Sequence, residues 1–425
     1  MVAALPSIGA DLGSSAGVAG VTAVYLLTVT ISTPVLGKLG DLLGRRTVFV
    51  VSVFLFAVGS LACAAAPSLA ALIGARALQG LGGGGLVVTA VSALGEMFDR
   101  DELVKRQIWL TGTFAVAALA GPPLGGFLAA GPGWRWLFLV NLPISAIALM
   151  LGIGSLPHHR QPGVLAGFDI HGAVLIAAAG AGIVALGSSH ALVTSPLWAP
   201  VVALAVSVCA VLFLGVERRA NAPLIPLSLF SRPALARSIA VTAMTGVALF
   251  GTFTFIPLAI SAGTGASNGR IGTLLLALTI GQLVVTSTFS LAARRYPRMT
   301  AWGHLGLGLG VAGMALLATL PLLSRDGRLL ATSVAIVGMA LAGAALGLSM
   351  QAYTLLGQTT APRDSFGAAM GTLTFARQLG GSLGAAGFGW ILLTIPDRDQ
   401  ALAVVLALAT LVILAAAVIA PRSHH

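Results

Sequence analysis

The stretch "GKLGDLLGRR" at residues 37–46 decides how this chain is read. Gly37, Gly40 and Gly44 permit close helix approach and a tight turn. Asp41 stands four residues ahead of Arg45, the spacing at which opposite charges meet on one helix face. An acid beside the first turn of a following helix is also favoured by that helix's dipole. Long uncharged runs flank the stretch, Ser14–Gly37 before it and Thr47–Ala75 after it. On its residues alone, the segment is either a built contact or a basic turn, including Arg46, that only sets orientation in a bilayer.

The composition supports the bilayer. Charged residues make up 8% of the chain and hydrophobic ones 57%, whereas soluble domains carry about a quarter charged residues. Gln107–Trp134 and Trp136–His159 are further uncharged runs. Each is long enough to cross a hydrocarbon core, which takes about 20 apolar residues. Lipid cannot satisfy open backbone groups, so the spans must be helices and the fold class is all-α, polytopic. The net charge of +11 belongs to short loops between spans, which argues against nucleic acid as a partner. Cys63 and Cys209 lie apart in apolar runs, so neither a disulfide framework nor a metal site is expected. No cofactor is implied.

With charges and loop residues as breaks, thirteen spans are expected near 17–37, 48–66, 69–95, 107–130, 136–156, 170–189, 197–216, 238–261, 271–293, 302–322, 329–353, 366–394 and 400–420. Alternate loops divide the Lys and Arg residues sixteen to five. The richer set, which includes Lys38, Arg45, Arg46, Arg218, Arg219 and Arg422, should face the cytoplasm, and with it the C-terminus. By the same parity "MVAALPSIGADLG" at 1–13 lies outside, which suggests the stump of a first helix with a further span upstream. Basic clusters recur after the first full span and in "LAARRYPRMTAWGHLG" at 291–306, a weak sign of two related halves.

Three in-span features invite chemistry. In "RALQGLGGGG" (76–85), Arg76 lies inside an apolar run, where an uncompensated cation costs at least ~2.5–3.5 kcal/mol. It either faces a cavity or partner or snorkels to the outer surface. Gln79 accompanies it, and Gly80 and the glycines that follow invite close helix packing. "GTFAVAALAGPPLGGFLA" (112–129) sets Gly112, Gly121, Gly125 and Gly126 around Pro122 and Pro123, whose missing donors require a bend. "FARQLGGSLGAA" (375–386) places Arg377 in a late span, as a second buried cation or as part of a helix-packing motif.

These motifs together resemble the major facilitator superfamily. "GKLGDLLGRR" is similar to its signature loop G-x-L-x-D-x-x-G-R-[RK], which implies that Asp41, Arg45 and the glycines latch two halves on the cytoplasmic side. "RALQG" resembles its R-x-x-Q-G element, associated with proton transfer. The 112–126 pattern G-x8-G-P-x-x-G-G is similar to the antiporter signature of its exporters. "GWRWLFLVNLPIS" (133–145) and "FDIHGAVLIAAAG" (168–180) resemble elements of the fourteen-helix drug:proton antiporter branch. That likeness implies two pseudo-symmetric six-helix bundles plus a central extra helix pair. Residues 1–156 would form the N-terminal bundle, 157–237 the extra pair and cytoplasmic linker, and 238–425 the C-terminal bundle.

The expectation is a multi-pass protein of the inner (plasma) membrane, with the lipid bilayer, protons and a small-molecule amphipathic substrate as partners. It would export that compound in exchange for protons. A truncated, non-transporting remnant of such an exporter is the alternative. No enzyme is expected, because no nucleophile, base and orienting group can be assembled from the in-span residues, and no ATP-driven pump, because no G-x-x-x-x-G-K-[ST] loop is present. None of the twelve Asp and Glu residues sits in a span interior, so the titrating group that proton exchange requires is missing from the expected places. Asp11 and His304 remain as candidates. A wall with fixed arginines and no acid suits neutral or acidic amphiphiles better than lipophilic cations.

Overall fold

In the computed structural model, the described residues are 8, 11–12, 18–98, scattered positions from 102 to 128, 131–156, 169–188, 195, 197–220, 223–253, 268–296, 298–320, 323, 328–362, 365–395 and 397–421. Among them there are twelve α-helices. In chain order these are α1 (Val18–Leu43), α2 (Arg45–Ala65), α3 (Leu69–Met97) and α4 (Trp136–Ser155, broken by one turn at Val140). α5 (Ile170–Ser188), α6 (Trp198–Glu217) and α7 (Pro233–Thr245) follow, with α7 running on through a π-helical turn at Gly246–Phe250 to Gly251–Phe253. The last five are α8 (Asn268–Arg295), α9 (Met299–Ala318), α10 (Arg328–Thr360), α11 (Phe366–Thr394) and α12 (Arg398–Ile419). Eight helices are long and apolar enough to cross a membrane among the described residues. Most of the expected span at 107–130 lies outside those residues.

The break in "GKLGDLLGRR" is shorter than a loop reading implies. α1 continues through Leu43 and α2 begins at Arg45, leaving Gly44 alone between them. Gly44 has φ 86° and ψ 147°, close to a region open essentially to glycine only. A single glycine therefore reverses the chain, and both charged partners, Asp41 and Arg45, sit on helix.

The chain divides into two compact units. The first comprises residues 1–97, 116–229 and 361–375, and so holds α1 to α6 with the first turns of α11. Within it α3 packs on both α1 and α2, because its glycines leave two thin faces. A Cβ on Gly80 would lie 2.7 Å from the Tyr25 carbonyl oxygen, and one on Gly84 2.5 Å from that of Val29, both on α1. A Cβ on Gly82 would lie 2.5 Å from the Ser52 carbonyl oxygen on α2. This is small-residue association, in which backbones approach because side chains are absent. α5 lies on α1 and α6 on α5. α6 turns Leu204, Val211 and Leu212 outward, as a lipid-facing helix does.

The second unit comprises residues 98–115, 230–360 and 376–425. α10 is its hub, packed against α7, α8 and α9, while α12 lies on α7 and α9. Leu307, Met314, Met339, Tyr353, Leu402 and Ile413 belong to its apolar core. α7 and the later part of α11 meet through glycines. A Cβ on Gly251 would lie 2.7 Å from the Gly384 Cα, and Gly246 and Gly380 leave no more room. That contact fixes the segment of α11 carrying Arg377.

Candidate functional site

Asp41 and Arg45 form a tightly connected cluster in the first unit. Asp41 Oδ1 accepts from Arg45 Nη2 and, at 2.7 Å, from the backbone N–H of Gly367; Oδ2 accepts from that of Ala368 at 2.8 Å. Gly367 and Ala368 are the second and third residues of α11, whose N–H groups have no partner within their helix. The carboxylate thus caps α11 and meets the positive end of its dipole, a contact worth ~0.3–2 kcal/mol. Arg45 also donates from Nε and Nη2 to Glu96 Oε1 on α3, at 3.0 and 2.6 Å, and from Nη1 to the Gly37 carbonyl at 3.1 Å. Gly37 and Gly40 make this possible: a Cβ at Gly40 would strike the Arg45 guanidinium, and one at Gly37 would lie 2.7 Å from the Gly367 carbonyl. Arg46 points elsewhere, into an open surface depression with Thr47, Val50, Val51 and Ile153.

Arg76 occupies a different setting. It is 7% exposed and does not reach outward to solvent. Its Nε donates to the Val21 carbonyl at 3.2 Å and its Nη1 to Gln79 Oε1. Its guanidinium lies 3.9 Å from the centroid of the Tyr25 ring and 5.9 Å from that of Phe138, a cation–π arrangement worth up to ~2 kcal/mol when desolvated. Gln79 Nε2 passes the chain on to Ser60 Oγ at 2.7 Å, which Asn141 Nδ2 also reaches at 3.3 Å. No carboxylate pairs with Arg76 among the described residues.

Arg377, in the second unit, is barer still. It is 9% exposed, and its Nη2 donates to Thr354 Oγ1 on α10 at 3.3 Å. Gln351, one turn before Thr354, is 2% exposed with neither amide atom hydrogen-bonded.

At one end of the first unit, Asp11 Oδ2 accepts from Trp134 Nε1 at 3.0 Å and Arg135 Nη1 at 2.6 Å. The Arg135 hydrogen bond, followed by that of Trp134, holds the Asp11 carboxyl below its ordinary value. His304 is half-buried, with Nδ1 2.7 Å from the Thr300 carbonyl of its own helix. Of the expected bend, Gly121, Pro122, Pro123, Gly125 and Gly126 lie outside the described residues; a Cβ on Gly112 would meet open space.

Sequence reasoning missed several partners. Glu96 lies 51 residues from Arg45, and no spacing rule joins them. Tyr25 and Ser60 carry no motif. Asn141 stands inside the quoted "GWRWLFLVNLPIS" but without a role.

Comparison with known proteins agrees with this fold. Residues 1–385 match the family described as Major Facilitator Superfamily, and the chain belongs to that family, a class of transporters rather than enzymes. An uncharacterized MFS-type transporter of Mycobacterium tuberculosis is 33% identical over 403 residues, covering 94% of this chain and 57% of its own length. The chain thus spans little more than half of that relative. The multidrug transporter protein MdtP of Bacillus subtilis is 29% identical over 394 residues, covering 92% of this chain and 71% of its own. The crystal structure of the human organic anion transporter MFSD10 shares the fold with a TM-score of 0.67 at 16% identity, covering 98% of this chain and 88% of that one.

Proposed function

We propose that this chain is an exporter of the fourteen-helix antiporter branch, moving a small amphipathic organic compound outward across the inner membrane in exchange for protons by alternating access. Multidrug transporters among its relatives support efflux and disfavour the remnant alternative. In this reading the chain keeps the three-part division at 156 and 237, two pseudo-symmetric bundles flanking an extra pair, thirteen spans and a cytoplasmic C-terminus. ATP takes no part.

The observation that carries the proposal is the Asp41 carboxylate on the first turn of α11. Water can replace each of its hydrogen bonds, so the contact can open and remake without refolding either helix. It is the latch of a rocking cycle. Arg76, with Gln79 and Gly80, then lines the transport route, and Arg377 supplies a second fixed positive charge. Two buried cations without carboxylate partners among the described residues favour neutral or acidic amphiphiles over permanent dications. The bend around Gly121, Pro122 and Pro123 belongs to the same reading.

The test is reconstitution of the full chain in vesicles with an imposed pH gradient. Movement of a fluorescent acidic amphiphile that follows the gradient, collapses with a protonophore and ignores ATP is expected. No gradient-driven movement of acidic, neutral or cationic amphiphiles would overturn the proposal.

A further inference from the structure

Asp169 and Glu217 read in the sequence as loop and helix-end acids, yet both are buried, 7% and 3% exposed. Asp169 caps α5, its Oδ1 accepting from the Gly172 N–H at 2.8 Å. Glu217, the last residue of α6, folds back so that its Oε1 accepts from the N–H groups of Leu224 at 2.9 Å and Ile225 at 3.0 Å. The second oxygen of each, Asp169 Oδ2 and Glu217 Oε2, is buried without a hydrogen-bond partner among the described residues. Asp169 and Lys38 of α1, the latter 8% exposed, both act electrostatically on Glu217. Their helices are in contact, α5 with both α1 and α6.

We propose that Asp169, Glu217 and Lys38 form a proton-binding site whose one exchangeable proton sits on Glu217 Oε2, with Asp169 and Lys38 as its charged neighbours. With both acids ionised the group carries two negative charges against one positive, leaving a buried net charge of minus one. Two buried carboxylates near one another do not both stay ionised cheaply. A proton taken from water onto Glu217 Oε2 brings the site to neutrality, and its release restores the charge. A metal ion fits less well, because only one oxygen per carboxylate is free, whereas hard cations take six or more oxygen ligands. His171 on α5 and Arg218 and Arg219 beyond α6 are exposed and modulate the group only through solvent.

Lys38 lies within "GKLGDLLGRR", one turn before Asp41, so proton occupancy acts on the same helix end that caps α11. A bare aspartate is also held in place by Gly172, where any Cβ would collide with Asp169 Oδ2. The site lies wholly in the first unit and does not rest on the exporter reading. If that reading holds, the site is the acid the spans otherwise lack.

The experiment is infrared titration of the carboxylic C=O stretch of the full chain in detergent, with no transport step, so its failure is distinct from a failure to export. A band that titrates reversibly, is lost in Glu217→Gln, moves to lower pH in Asp169→Asn, where a repelling charge is gone, and is kept in Asp11→Asn, is expected. In Lys38→Gln the band should titrate at least about one pH unit higher, since a nearby cation favours the ionised form. No such band at any pH, a band untouched by both carboxyl substitutions, or an unmoved titration in Lys38→Gln would overturn the proposal. Should the carboxyl variants not fold, the Lys38→Gln shift alone decides.

Discussion

Arg45 and Arg76 are equally well buried in the same unit, 5% and 7% exposed, but their surroundings are opposite. Arg45 sits between Asp41 and Glu96 with a backbone carbonyl besides. Arg76 rests on an aromatic face, an amide and a carbonyl. A buried cation matched by acids is a joint: its geometry is fixed and its removal orphans the partner charges. One held only by neutral groups keeps an unspent charge, available to a passing anion. Arg377 belongs with Arg76 in this respect. The comparison teaches that burial of an arginine does not assign its role, whereas the sign of its neighbours does.

The contrast breaks most decisively at Asp41. Asp41→Asn leaves Arg45 with one carboxylate and takes the charged cap from α11, and breaking a buried pair costs ~3–5 kcal/mol. A lower melting temperature and a transport rate reduced by about two orders of magnitude or more are expected, read by thermal denaturation and vesicle efflux. If both stay at the parent level, the joint is ornamental.

Arg76→Met should separate the two measurements. Removing a cation that has no carboxylate partner among the described residues leaves no opposite charge stranded, and the cation's desolvation cost goes with it, against which Gln79 Oε1 and the Val21 carbonyl lose a donor. The melting temperature is expected to hold or rise while efflux falls tenfold or more. A variant that melts much earlier would place Arg76 among the joints.

Gly84→Ala tests the frame that holds Arg76. Its Cβ would press against the Val29 carbonyl and Ser32, and overpacking costs ~1–3 kcal/mol. Destabilisation with a proportionate drop in efflux is expected. Equal melting would mean that α1 and α3 can part freely.

The smallest effects come from the periphery. Asp11 is held below its ordinary value by Arg135 and Trp134. Its contribution is complete above about pH 4 and disappears only as the pH falls through the lowered value. The melting difference between the parent and Asp11→Asn should therefore be constant from pH 6 to 8, and a difference that varies across that window would contradict the contact. Arg46→Gln, which breaks no contact, should change stability by no more than about 0.5 kcal/mol.

Much of this was legible in the chain. The span at 366–394 coincides with α11, and those at 48–66, 69–95 and 400–420 agree with helix ends to within three residues. Apolar length and the missing charges set those limits, and both are local. The partner of Arg45 four residues away was legible for the same reason, and Glu96 was not, because it arrives from the far end of another helix. Asp169 and Glu217 illustrate the same limit: a charge near a helix end looks solvated until neighbouring helices cover it.

The sequence by itself determined that this protein is a bundle of membrane helices and where the chain turns, since lipid imposes those conditions on each segment separately. Only the tertiary structure decided which buried charges are matched and which are left free. That depends on which helices stand side by side, and electrostatic compensation is a property of neighbours in space, to which order along the chain is blind.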